Sequence, residues 1–147
     1  MSAVKQLEIV QRVTQNEERR RARGLAERQR RVSECEAKLL ELERYEHSYK
    51  SEFARAAERG MNGARVREYQ AFLERLANAV RQQLEILSRA RAERDAELCD
   101  WRRAAQQAEM VEHVVVRRRD EERVVEDRRE QRAFDELSAM RSARHGQ

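Results

Sequence analysis

The stretch Arg59-Gly60-Met61-Asn62-Gly63 decides the fold, because it is the one place where residues that interrupt a helix lie close together. Glycine and asparagine tolerate the left-handed backbone conformations that end one helix and begin another. On both sides of this stretch the chain lacks proline, and apolar residues recur at helical spacing. The sequence therefore predicts two long helices joined by a short reversal.

The composition is typical of an elongated helical protein. Of the 147 residues, 41% are charged and 5% are aromatic, and there are only four glycines. Regular apolar spacing and charges of mixed sign argue against a disordered chain. Any disorder is expected mainly at the two ends. We predict an all-α fold with one domain over residues 1–147, an antiparallel coiled-coil hairpin whose second helix is longer. Its parts are a helix over 2–58, a turn over 59–63, a helix over 64–143 and a short flexible tail.

A heptad pattern defines the predicted seam between the helices. Apolar residues occupy 12 of 15 seam positions from Val66 to Val115, and 8 of 10 from Leu25 to Ala56. In an antiparallel pair each a position faces a d position, which holds when the numbers of facing residues sum to 122. Phe53 then faces Tyr69. The predicted seam anchors are Tyr69, Leu73 and Trp101.

One flank of the predicted seam is unusually apolar near the turn. Tyr45, Phe72 and Ala79 occupy g positions beside the seam residue Leu76. Two helices cannot bury both flanks of their seam, so these four residues are predicted to form a partner-binding patch. The competing interpretation is that they only widen the seam.

The register also predicts that the second helix projects beyond the first. Met1 would lie level with about residue 121, which leaves some 25 residues of the second helix without an internal partner. An apolar stripe on an unpaired helix indicates an external groove. The stripe consists of Val124, Val125, Phe134, Leu137 and Met140.

The charge pattern favours an ion-paired helix surface over a nucleic-acid interface. There are 32 basic and 28 acidic residues, and most arginines alternate with glutamates at helical spacing. An arginine-rich nucleic-acid binder remains an alternative, and it predicts binding that falls steeply with salt. One basic run suits an acidic protein surface: Arg19, Arg20, Arg21, Arg23, Arg28, Arg30 and Arg31.

No pattern in the sequence indicates catalysis, a cofactor or a metal. His47, His113 and His145 are scattered, and no glycine-rich phosphate loop is present. Cys35 and Cys99 lack metal-like spacing and indicate reduced thiols. The chain shows neither a signal peptide nor an apolar run long enough to cross a membrane, so we expect a cytoplasmic, non-enzymatic protein that binds other proteins.

Five stretches together resemble the FliJ family, the stalk component of the flagellar type III export apparatus. They are Tyr45-Glu-His-Ser-Tyr49, the glycine turn, Tyr69-Gln-Ala-Phe-Leu73, Trp101-Arg-Arg103 and residues 127–137. The resemblance extends over essentially the whole chain. It implies an antiparallel coiled coil similar to the central shaft of the F1 ATP synthase. It further implies a cytoplasmic protein that associates peripherally with the inner-membrane export apparatus.

The partners that the resemblance implies are the flagellar export ATPase ring, the cytoplasmic part of the membrane export gate, and export chaperones. It implies no nucleic acid, no small-molecule substrate, no cofactor and no integral membrane segment. The implied gate contacts are Tyr45, Tyr49, Phe72, Leu76, Ala79 and Gln83, where Gln83 replaces a histidine of some members. The implied ATPase contacts are Arg20, Arg21, Arg128, Gln131, Arg132 and Asp135.

Two alternatives share this architecture. The equivalent stalk protein of a virulence injectisome is built to the same plan. A purely structural coiled-coil scaffold would form a homodimer at micromolar concentration, whereas a stalk is expected to be mainly a monomer when free.

Overall fold

The structure, a computed structural model, describes residues 2–146 and consists of two α-helices. Helix α1 spans Ala3–Glu58 and contains 56 residues, and helix α2 spans Gly63–His145 and contains 83. No strand occurs among the described residues. The predicted all-α fold with a longer second helix is therefore confirmed. Helix α2 begins one residue before the predicted bound and ends two residues after it.

Two residues of the turn have different roles: Gly60 adopts a positive φ, and Asn62 caps the second helix. Gly60 adopts the left-handed conformation, with φ of 91°, and its N–H donates to the carbonyl of Ala57 at 3.1 Å. Asn62 instead caps α2, because its Oδ1 accepts the N–H of Arg65 at 2.9 Å. Within residues 2–146 no residue other than glycine has positive φ. Of the two residue types that tolerate the left-handed conformation, the glycine at position 60 therefore adopts it and Asn62 serves as a helix cap.

Packing divides the described chain into two compact units. We call residues 20–101 the turn unit, and residues 2–19 with 102–146 the terminal unit. In the turn unit α1 and α2 run antiparallel and bury a core of Val32, Cys35, Leu87 and Ala90, against which Leu39 packs. The pairs Val32 with Ala90 and Cys35 with Leu87 both sum to 122. This core therefore agrees with the predicted register.

One end of the turn unit lacks a buried core. No residue in 20–31 or 91–101 is buried. Arg28, which occupies a seam position, turns its Nη1 to Oε2 of Glu93 at 2.7 Å. Gly24 lies against Glu97, so that a Cβ on this glycine would approach Oε2 at 3.3 Å. Exposed ion pairs contribute at most about 1 kcal/mol each, so this stretch is weakly held.

The terminal unit has a short core of its own. Thr14, Ala104 and Val115 are buried, and Val115 is 0% exposed. Arg119 Nη2 lies 2.7 Å from Glu8 Oε1, which joins α1 and α2 by an exposed ion pair. Val115 is also the last buried residue, because every residue from 116 to 146 is exposed. We call residues 116–146 the C-terminal segment.

Candidate partner-binding surfaces

Five aromatic side chains form a cluster in the turn unit near the reversal. Tyr49 lies at its centre, with its ring centroid 4.4 Å from Phe72 and 5.2 Å from Tyr69. Phe53 lies 5.2 Å from Tyr69, and Tyr45 meets Phe72 edge-on at 6.0 Å. Such pairs each contribute about 0.5–1.5 kcal/mol beyond simple burial. We call these five residues the aromatic cluster.

The aromatic cluster forms because seam and flank positions coincide near the turn. Phe53, Tyr69 and Tyr49 follow the heptad seam, whereas Tyr45 and Phe72 occupy the g positions beside it. Large flat rings at the seam reach sideways to the flank residues, so the five rings make one contiguous layer. Its outer part, Tyr45 with Phe72, is the part that a partner can reach.

Tyr49 shows the environment of the cluster interior. Burial among the neighbouring rings raises the pKa of its hydroxyl above the ordinary value, and Tyr69 and then Glu52 raise it further. The hydroxyl is therefore uncharged at neutral pH and acts only as a hydrogen-bonding group.

The six implied gate contacts differ sharply in accessibility. Tyr45 is 51% exposed, whereas Leu76 is 7% and Gln83 is 5% exposed. The Gln83 amide donates from Nε2 to the carbonyl oxygen of Cys35 at 3.1 Å. Tyr49, Phe72 and Ala79 are half-buried. The accessible surface of this group therefore consists of Tyr45, Phe72 and Ala79, and Leu76 and Gln83 lie beneath it.

The three seam anchors are placed as follows. Tyr69 is buried, and Leu73 and Trp101 are half-buried. Arg21, which the register places opposite Trp101, has its Nη1 3.5 Å from Asp100 Oδ2. The Arg21 guanidinium therefore contacts the carboxylate of the residue that precedes Trp101 in α2.

The implied ATPase contacts are mostly exposed. Four of them, Arg128, Gln131, Arg132 and Asp135, lie in the C-terminal segment. Gln131 Nε2 donates to Asp135 Oδ1 at 3.2 Å, one helical turn away. Arg20 is exposed and Arg21 is half-buried, and both belong to the turn unit.

The terminal unit carries an apolar surface that sequence reasoning missed. Val10, Val13, Met110 and Val114 are all large hydrophobic residues that are about half exposed or more. Extending the heptad pattern of α1 back from Leu25 places Val10 at a g position, as it places Val114 in α2, and these numbers sum to 124 like other facing g pairs. The heptad pattern contains this signal once it is extended in α1 to the residues before Leu25.

The exposed hydrophobic residues of the C-terminal segment match the predicted stripe. Phe134 is 66% exposed, and its neighbours at helical spacing, Leu137 and Met140, are similarly open. Val124 and Val125 are half exposed and line surface grooves together with arginines and acidic residues. This segment therefore offers an amphipathic helix without a buried face.

The described residues include no group of three or more His, Cys, Asp or Glu side chains placed to hold a metal ion. Cys35 is a buried free thiol and Cys99 an exposed one. From residue 2 to residue 146, neither helix has a stretch apolar enough to span a membrane.

Comparison with known protein families decides the relationship. A family model described as the flagellar FliJ protein matches residues 3–147. The chain belongs to the FliJ family. No curated protein and no solved structure matches the chain. FliJ is a non-enzymatic flagellar family associated with protein export, so the partners of this chain lie in the flagellar export machinery.

Proposed function

We propose that the chain is the stalk of the flagellar type III export apparatus, and that it links the export ATPase ring to the cytoplasmic part of the membrane export gate. The observation that carries this proposal is a pair of accessible regions with different chemistry. The turn unit offers an aromatic and apolar surface, and the C-terminal segment offers a charged helix with no buried face. One molecule with two such regions can hold two different partners.

The gate contact in this proposal is the surface of Tyr45, Phe72 and Ala79. Tyr45 is half exposed and its ring rests edge-on against Phe72, which fixes its orientation before a partner arrives. Rigid aromatic anchors lose little side-chain entropy on binding and are common hot spots in protein interfaces. Tyr49 and Leu76 support this surface from beneath, and Gln83 supports the adjoining backbone.

The ATPase contact in this proposal is the C-terminal segment, helped by Arg20 and Arg21. Arg128, Arg132 and Asp135 are exposed on a helix that lacks an internal partner. Exposed polar contacts exchange quickly because each contributes little, so they suit a stalk that must stay in a ring pore without locking it. Phe134 and Leu137 add an apolar anchor beside them.

The proposed role includes promoting subunit export and meeting export chaperones. The chain itself performs no chemistry in this proposal. It acts at the cytoplasmic face of the inner membrane through protein contacts, and thereby associates peripherally with the gate.

The proposal is tested by binding assays with the purified flagellar ATPase and the purified cytoplasmic part of the gate. Replacing Tyr45 and Phe72 by alanine should abolish gate binding and motility while ATPase stimulation survives. Leu76 is left intact, because truncating a buried leucine costs about 2–5 kcal/mol and would confuse binding with folding. Leu84→Ala, an exposed change elsewhere on α2, is the matched control and should bind normally.

The ring contact is tested separately with Arg128→Glu and Arg132→Glu together. This variant should lose ATPase stimulation and keep gate binding, and charge reversal at Arg67 in the turn unit is its control. Normal motility in both double variants would contradict the proposal. A dimer of the free chain at micromolar concentration in sedimentation equilibrium would favour a structural scaffold instead.

A further inference from the structure

We infer that the flank of the turn unit carrying Phe72, Ala79 and Ile86 is a groove for one amphipathic α-helix of the gate partner, and that this helix carries an acidic flank. This inference rests on the proposed function and specifies the partner's chemistry at the gate contact. It extends the contact from the aromatic cluster along α2 to Ile86 and Arg89.

The shape of the flank fits a third helix. Phe72, Ala79 and Ile86 are spaced by seven residues, so they form a row of about 21 Å along α2 at 1.5 Å per residue. Phe72 and Ala79 are half-buried and Ile86 is 39% exposed. A heptad-spaced row beside a two-helix seam accepts another helix of about 14 residues by the same side-chain interdigitation that forms the seam.

Surface grooves continue this row beyond the aromatic cluster. One groove of about 300 Å³ lies between α1 and α2 and is lined by Arg31, Glu34, Cys35, Lys38, Gln83 and Ile86. A second groove shares Arg31 and Ile86 and reaches Arg89 and Glu93. The row and these two grooves together form a continuous depression between α1 and α2, which we call the channel.

The side chains at the bottom of the channel favour contact with apolar side chains of the partner helix. Gln83 is the polar side chain of the floor, and its amide is already bonded to the Cys35 carbonyl at 3.1 Å. Within residues 2–146 no buried side-chain nitrogen or oxygen lacks a hydrogen-bond partner. An incoming helix therefore has no polar group to satisfy at the floor, and apolar side chains fill it at the lowest desolvation cost.

The charged residues at the edges of the channel favour a partner helix that carries acidic residues along one side. Arg31, Lys38 and Arg89 line the channel, and none of them has an ion-pair partner in the described part of the chain. The opposing charges are Glu34 and Glu93, and Arg28 already neutralises Glu93 at 2.7 Å. Arg75 adds a further cation beside the Phe72 ring, at 6.0 Å. The channel is thus net basic.

On the opposite flank of the turn unit, two basic side chains are already paired with carboxylates of the same chain. There Arg91 Nη2 lies 3.4 Å from Glu36 Oε1, and Lys50 Nζ lies 3.7 Å from Glu46 Oε1. Leu84 is exposed on that flank, but Arg91, one heptad further along α2, is already paired with Glu36. Unpaired cations beside an apolar row occur together on the channel side, which is why we assign the helix to that side.

The experiment measures binding of the full chain to the purified cytoplasmic part of the gate, and then to overlapping 20-residue peptides covering it. Ile86→Asp, and separately Lys38→Glu with Arg89→Glu, should each weaken gate binding by about tenfold or more, or about 1.4 kcal/mol. The matched controls are Leu84→Asp for the apolar change and Arg44→Glu with Arg67→Glu for the charges. Both controls should retain binding within about twofold, well under the 1.4 kcal/mol that a tenfold loss represents.

The binding peptide should be acidic on one flank and should gain helical circular dichroism in the complex. Replacing its acidic residues by lysine should restore binding to the variant with Lys38→Glu and Arg89→Glu. Unchanged affinity of the channel variants, an extended bound peptide, or a peptide without acidic residues would overturn the inference while leaving gate binding intact.

Two further results would also overturn it, for different reasons. If the wild-type chain does not bind the gate at all, the proposed function fails and the inference fails with it. If the wild-type chain dimerises and Ile86→Asp returns it to a monomer, the channel is occupied by a second copy of the chain.

Discussion

Helix α2 contains two regions that are equally helical but differently supported. Residues 76–90 include the buried side chains Leu76, Gln83, Leu87 and Ala90, all packed against α1. The C-terminal segment, residues 116–146, contains no buried residue. Helix formation in the first region is driven by tertiary packing, whereas in the second region it depends on local interactions.

The local interactions of the C-terminal segment are weak. Apart from the pair of Arg119 with Glu8 near its start, the ion pairs of its described residues join residues three apart, such as Arg118 Nη1 with Glu121 Oε2 at 3.5 Å and Arg123 Nη2 with Asp120 Oδ1 at 3.3 Å. Such pairs contribute about 0.2–0.5 kcal/mol each. The difference between the two regions lies in what supports the helix: residues 76–90 bury side chains in the packed hairpin, whereas every residue of the C-terminal segment is exposed.

The largest expected effect breaks the packed region. Leu87→Ala should lower the free energy of unfolding by about 2–5 kcal/mol, because Leu87 is buried in the turn-unit core. Phe134→Ala in the C-terminal segment is the control and should change it by less than about 0.5 kcal/mol, since Phe134 is exposed. Urea unfolding followed by circular dichroism measures both. Equal losses would mean that the C-terminal segment has a packed face after all.

Two adjacent valines test where packing ends. Val115→Ala should lower the free energy of unfolding by about 1.5–3 kcal/mol, because this side chain is fully buried. Val116→Ala should have little effect, since Val116 is about half exposed. The comparison removes the same atoms one position apart, so helix propensity cancels. A larger loss at Val116 would contradict the assignment of Val115 as the last buried residue.

A pH experiment sharpens the comparison within the aromatic cluster. Burial raises the pKa of the Tyr49 hydroxyl in the folded chain above its unfolded value. Its contribution to stability is therefore complete below the unfolded pKa of about 10 and is lost as pH rises through the folded pKa. Tyr49→Phe should lose less thermal stability than the wild type between about pH 9 and pH 11. Parallel melting curves would contradict this linkage.

The smallest expected effect concerns the C-terminal segment as a whole. Ending the chain after Arg129 should leave the free energy of unfolding within about 0.5 kcal/mol, because no buried side chain is removed. Amide hydrogen exchange in the intact chain should be faster over residues 130–146 than over residues 32–39. The same truncation should remove ATPase stimulation, so a fully active truncated chain would remove this segment from the proposed ring contact.

Sequence alone determined the two helices, the position of the reversal and the register of the turn unit. Helical periodicity is a local property, and a heptad repeat in each helix leaves one pairing that places apolar residues together. The pair of Phe53 and Tyr69 and the core pair of Cys35 and Leu87 follow directly from that arithmetic. The FliJ resemblance also lay in residues that can be recognised without coordinates.

Tertiary structure alone decided which of those residues a partner can reach. The family resemblance groups Leu76 and Gln83 with Phe72 as gate contacts, but both are buried, and the Gln83 amide donates to the Cys35 carbonyl. Likewise Asn62 caps α2 and leaves the left-handed conformation to Gly60. Burial and hydrogen-bond partners depend on the direction of side chains from both helices at once. A residue's position in a repeat within one helix does not contain that information.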